Sequence, residues 1–150
     1  MARPLPGLEA DEELVDMMTV AFRGSLAAST RGLALASSRS RLKQFHVWEE
    51  VAHGAGFPTN RPEMVIGVTS QRLVVWKPSF WLGHPRQFVG EVPITRLINA
   101  ETYRRGLAHV LALGFTNGMY VELEAMRGRR LRRLRDAIRA QMPPKSPSTW

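Results

Sequence analysis

The stretch "LALGFTNGMYVELEA", residues 111–125, decides the fold, because strand register determines which side chains share a face. With Asn117 and Gly118 alone as a two-residue turn, Phe115 would lie opposite Tyr120 and Leu113 opposite Glu122, mixing carboxylates into an apolar face. With Thr116, Asn117 and Gly118 as a three-residue loop ending in a left-handed glycine, Phe115 faces Met119, Leu113 faces Val121 and Leu111 faces Leu123. This second register yields one uniformly apolar face and turns Glu122 and Glu124 to the other side. It is the register expected.

An apolar strand face needs a cover, and the residues that follow supply one. "GRRLRRLRDAIRAQM", residues 128–142, places Leu131, Leu134, Ile138 and Met142 on one stripe of a helix expected over about 129–142, stopped by Pro143 and Pro144. Burying Leu131, Leu134 and Ile138 stabilises by at most roughly 1.5 to 3 kcal/mol each, so packing accounts for the helix without its arginines. Residues 127–139 nevertheless carry seven arginines against the single acid Asp136. Arg129, Arg130 and Arg132 in the first turn oppose the helix dipole, at about 0.3 to 1 kcal/mol each when exposed. A compensating acid is therefore expected, either Glu122 or Glu124 or the N-terminal group Glu9, Asp11, Glu12, Glu13 and Asp16. Pairing of that acidic N-terminus with the basic helix, within one chain or between copies, is the favoured reading. A solvated face and a true anion-binding surface stand behind it.

Working backward from the hairpin, the chain shows β-rich runs at 64–69 and 72–77, joined through Ser70 and Gln71, then "RQFVGEVP" (86–93), "RLINAETY" (96–103), "LAHVLALGF" (107–115) and "MYVELEAM" (119–126). Upstream of "GFPTNRP" (56–62) the period changes. "EADEELVDMMTVAF" sets Leu14, Val15, Met17, Met18, Ala21 and Phe22 at helical spacing behind acids suited to a first turn, so a helix is expected over 9–22. Leu42, Phe45, Trp48, Val51 and Ala52 mark a second helix over about 39–54, with 24–38 read as its extension. The expected architecture is α+β. A helical segment (1–62) precedes an antiparallel sheet or partly open barrel capped by the C-terminal helix (63–142), and a flexible tail follows (143–150).

Composition narrows the chemistry. The 150 residues suit one domain, carry a net charge of +8 and include no cysteine, which excludes disulfides, thiolate nucleophiles and sulfur-bound zinc. Lys43, Lys77 and Lys145 are the only lysines among 21 basic residues; the arginine excess suits bidentate anion recognition without requiring it. No run approaches the ~20 apolar residues of a membrane span, and the opening residues lack the apolar core of a secretory signal, so the expected compartment is the cytoplasm. His46, His53, His84 and His109 are scattered, and GxSxG, P-loop and HExxH motifs do not occur. "HGAGFP" lacks the strand before and the helix after that a phosphate loop needs. No catalytic residue, metal ligand or cofactor site is expected.

The order "VTSQRLVVW", then "EVPITRL", then a final hairpin feeding directly into a helix resembles the bacterial pleckstrin-homology-like domains, relatives of the GRAM domains, over about residues 63–142. The resemblance implies seven strands closing a partly open barrel under one helix; six are legible here, the seventh being missing or hidden in the N-terminal region. It also implies a noncatalytic binding module for phosphoinositides, other membrane components or protein segments. Lipid-binding members carry a lysine opening an early loop followed by Arg-x-Arg; here Lys77 opens "KPSFWLGHPRQF" and Arg86 closes it, with Phe88 where the second arginine would stand. Phe80, Trp81 and Leu82 at the tip either fold back as a small satellite core or dip into a contact. The expected partner is a protein, including a second copy of the chain. The alternative is peripheral attachment to anionic lipid through Lys77, Phe80, Trp81, Arg86 and the helix residues Arg129, Arg130, Arg132 and Arg133. Nucleic acid ranks third, since no recognised nucleic-acid motif accompanies the charge.

Overall fold

A computed structural model of the chain describes residues 5–22, 34–59, 61–78 and 85–143, and of residues 34–41 the backbone alone. The described residues form an α+β fold with one antiparallel sheet of seven strands: β1 (Leu14–Phe22), β2 (Glu63–Thr69), β3 (Arg72–Pro78), β4 (Pro85–Pro93), β5 (Leu97–Arg105), β6 (Ala108–Phe115) and β7 (Tyr120–Ala125). Helix α1 (Ala34–Ala55) lies between β1 and β2, and α2 (Gly128–Gln141) follows β7. Across the sheet the order is β4-β3-β2-β1-β7-β6-β5, leaving β4 and β5 as open edges.

The expected N-terminal helix over 9–22 is corrected to a strand. β1 pairs with β2 from Leu14↔Thr69 to Ala21↔Glu63, and with β7 through Ala21↔Glu124 and Phe22↔Leu123. It thus joins two meanders at the centre of the sheet, with Met18 packed on the core from one face and Met17 on the outer cluster from the other. A strand apolar on both sides loses its alternation, and the remaining run fits helical spacing equally well. The second expected helix is α1, and its start at Ala34 accords with an extension into 24–38; residues 24–33 lie outside the described part, as does the expected tail from 144 onward.

The decisive hairpin has the three-residue loop. Leu111 faces Leu123 and Leu113 faces Val121, while the Gly118 amide donates to the Phe115 carbonyl at 2.9 Å and Gly118 takes φ +84°. The Ser70–Gln71 turn has its own device, since Thr69 Oγ1 accepts the amides of Gln71 and Arg72, both at 3.1 Å. Inner faces of both meanders meet in one core, with Ile66 and Val75 from one half and Leu111 and Leu123 from the other. Leu131, Leu134 and Ile138 of α2 enter the same core and are fully buried.

The two helices meet the sheet through different residues. α2 lies where Arg130 meets Asp16 near the start of β1, and where Gly128 presses on the His109 ring early in β6. α1 lies elsewhere: Phe45 meets Phe22 edge to face at 5.4 Å between centroids, Trp48 Nε1 donates to the Glu122 carbonyl at 2.8 Å, and Asn117 Nδ2 donates to the Gly54 carbonyl at 3.1 Å. A second apolar cluster sits on the outer face of the first meander, where Leu5, Leu8, Leu14, Met17 and Phe88 pack on Val65, Val74 and Trp76. No helix among the described residues is long and apolar enough to cross a membrane.

Candidate functional site

The arginines of α2 divide by what the fold does with them. With Leu131, Leu134 and Ile138 facing the core, Arg130 falls on the flank toward β1, and Arg135 and Arg139 fall on the flank toward β5. Arg130 Nη1 forks the Asp16 carboxylate at 2.7 and 2.9 Å, and its Nη2 donates to the Met17 carbonyl. Arg135 Nη1 donates to Thr102 Oγ1 at 2.8 Å, and Arg139 Nε donates to the Ala100 carbonyl at 2.6 Å on the edge strand β5. These three arginines hold the helix to the sheet. The acidic N-terminus thus supplies Asp16 as the counter-charge to the first turn, which contains no acid of its own.

Arg129, Arg132 and Arg133 point the other way. Arg129 and Arg132 are exposed and have no ion-pair partner among the described residues; Arg133 reaches Asp16 only at 3.7 Å, with its side chain 67% exposed. At i, i+3 and i+4 these guanidinium groups are surface neighbours roughly 5–6 Å apart at their Cβ atoms. Their planar donor forks can each grip a carboxylate or phosphate in two hydrogen bonds. The stripe is rigidly based, because the opposite face of the same helix is core.

The other expected contact residues are elsewhere. Lys77 stands opposite Gln87 on the β3–β4 hairpin, four residues along β3 from Leu73, whose partner Val68 pairs with Asp16. Arg86 is exposed at the start of β4 on the same hairpin. Phe80, Trp81 and Leu82 fall outside the described residues. The arginine stripe thus lies on α2, and Lys77 and Arg86 lie on the β3–β4 hairpin at one edge of the sheet.

One polar centre escaped the sequence reading. Arg72, at the start of β3, donates from Nε to Glu12 Oε2 at 2.8 Å and from Nη2 to Glu12 Oε1 at 2.7 Å and to the Gly7 carbonyl at 2.6 Å; its Nη1 pairs with Glu91. Thr69 Oγ1 donates to the same Glu12 carboxylate at 2.8 Å. The Glu12 side chain is 1% exposed. The Arg72 guanidinium holds its carboxyl down from 4.5 to about 2, with help from Thr69 and the Glu9 amide against the cost of burial. Glu12 in turn raises the pKa of Arg72. The partners lie 60 residues apart, and "TSQR" signals a turn but not a partner. Helical spacing places Glu12 in a first turn, where no such pairing is visible.

The histidines serve local contacts. His53 Nε2 donates to the Thr59 carbonyl at 3.0 Å, His46 approaches Glu49 at 3.8 Å, and the His109 ring packs on Gly128. Among the described residues no three His, Asp or Glu side chains converge on a point that could hold a metal ion. Compared with known proteins, the chain matches no family model and no curated protein.

Proposed function

We propose that the chain is a noncatalytic binding module of pleckstrin-homology-like architecture, which recognises an acidic segment of a protein through the outward stripe of α2. Seven antiparallel strands followed directly by a packed helix support that architecture. The observation carrying the binding assignment is the division of labour on α2. Three arginines are spent on Asp16, Thr102 and Ala100, while Arg129, Arg132 and Arg133 are held outward on a helix that packing alone would form. A second copy of the chain is one source of the acidic segment, because Glu9, Asp11 and Glu13 are exposed.

The test is fluorescence anisotropy with the full chain and a labelled Glu-rich peptide, set beside vesicles containing phosphatidylserine and a DNA duplex. Reversing Arg129, Arg132 and Arg133 to glutamate is expected to weaken peptide binding by at least about tenfold, and raised salt to weaken it in the wild type. Thermal stability is expected to hold or rise slightly, because the acids now favour the helix dipole. Vesicle binding that needs Lys77 and Arg86, with no peptide binding, would instead establish the membrane reading. Sizing columns run on the wild type and a Glu9→Lys, Asp11→Lys, Glu13→Lys variant separate self-recognition from a foreign partner.

A further inference from the structure

Residues 5–12 cross the outer face of the first meander in an unusual manner. Their backbone hydrogen bonds are local, Leu8 to Leu5 and Glu12 to Glu9, and among the described residues none joins them to the sheet backbone. Instead β2 and β3 hold them by side chains. Trp76 Nε1 donates to the Pro6 carbonyl at 2.7 Å, Arg72 donates to the Gly7 carbonyl, and Arg72 with Thr69 clasps the Glu12 carboxylate. Leu5 and Leu8, half-buried, rest on the Trp76 cluster. Gly7 lies flat on the Phe88 ring, so close that a Cβ there would stand 2.3 Å from a ring carbon, and it takes φ +78°. This is how a docked peptide is held, by side chains reading carbonyls, an apolar platform and one charge.

The surface also extends beyond the segment that covers it. Gly7, Glu9, Gln71, Arg72, Phe88, Gly90 and Glu91 line an open cleft between residues 5–12 and the edge strand β4. We infer that the outer face of β2–β4 is a second docking groove, occupied in the free chain by its own residues 5–12 as a pseudo-ligand. The partner it fits is a short segment of the same chemistry: two apolar residues around a Pro-Gly turn to lie on Trp76 and Phe88, followed by a carboxylate to fork Arg72. Such a partner competes with residues 5–12, so occupancy in cis sets its apparent affinity.

The groove is independent of the α2 stripe, and its test uses the full chain with a labelled peptide, MARPLPGLEADEE, copied from its own N-terminus. Gly7→Ala strains the cis segment without altering the groove. Relative to wild type it is expected to bind the peptide at least about tenfold more tightly, and a Gly7→Ala, Arg72→Gln double variant to lose that gain. In the unaltered protein, the Trp76 indole N–H, closed by Pro6, is expected to exchange with deuterium at least about a hundredfold faster than the amides of Val74 and Val75. The inference fails if Gly7→Ala keeps a cooperatively folded sheet yet takes up no peptide. It fails equally if that variant cannot fold, or if the indole exchanges only as fast as β3, since residues 5–12 would then belong to the permanent core.

Discussion

Arg72 illustrates how much one buried charge pair controls. A carboxyl held at about 2 rather than 4.5 contributes at most about 3 kcal/mol to folding at neutral pH. Because the folded value is depressed, that contribution is complete above 4.5 and is lost as pH falls through about 2. Denaturant titrations of Glu12→Gln against wild type should therefore differ by roughly 2 to 3 kcal/mol at pH 7, and the gap should close on the acid side. A gap that stays constant down to pH 2 would assign the loss to shape rather than charge. Gly67 makes a steric counterpart. A Cβ there would lie 2.6 Å from the Trp76 ring, so Gly67→Ala must shift the indole, at about 1 to 3 kcal/mol of unfolding free energy measured by denaturant titration.

At the level of the elements, legibility followed the number of covered faces. The β6–β7 hairpin was readable to the residue because one face is core and the other carries Glu122 and Tyr120, so only one register kept the faces apart. α2 was readable because its apolar stripe is narrow and its remainder charged. Leu134→Ala should accordingly cost about 2 to 5 kcal/mol, as should Leu131→Ala, with both measurable by chemical denaturation. β1 was misread because Met18, Val20 and Phe22 face one way while Met17 and Ala21 pack on the other, which erases the alternation a strand usually displays. The candidate site was half legible. Local spacing identifies the arginine stripe, but the assignment of Arg130 to Asp16 and of Arg72 to Glu12 rests on pairings more than 50 residues apart, which no local pattern encodes.

Across the whole molecule, both helices pack on one core, and the basic residues of α2 divide into those that hold the sheet and those that face outward. Truncating the chain before β7 should abolish cooperative unfolding in calorimetry, because α2 would be lost together with one neighbour of β1. The central place of β1 has a consequence in time as well as space. Phe22 is synthesised early, yet its partner Leu123 comes about a hundred residues later, an interval of roughly 5 to 20 s on the ribosome. Until then a strand with apolar residues on both faces waits without one of its neighbours. Refolding from denaturant should fall in the slow range of milliseconds to seconds, limited by closure of this long loop.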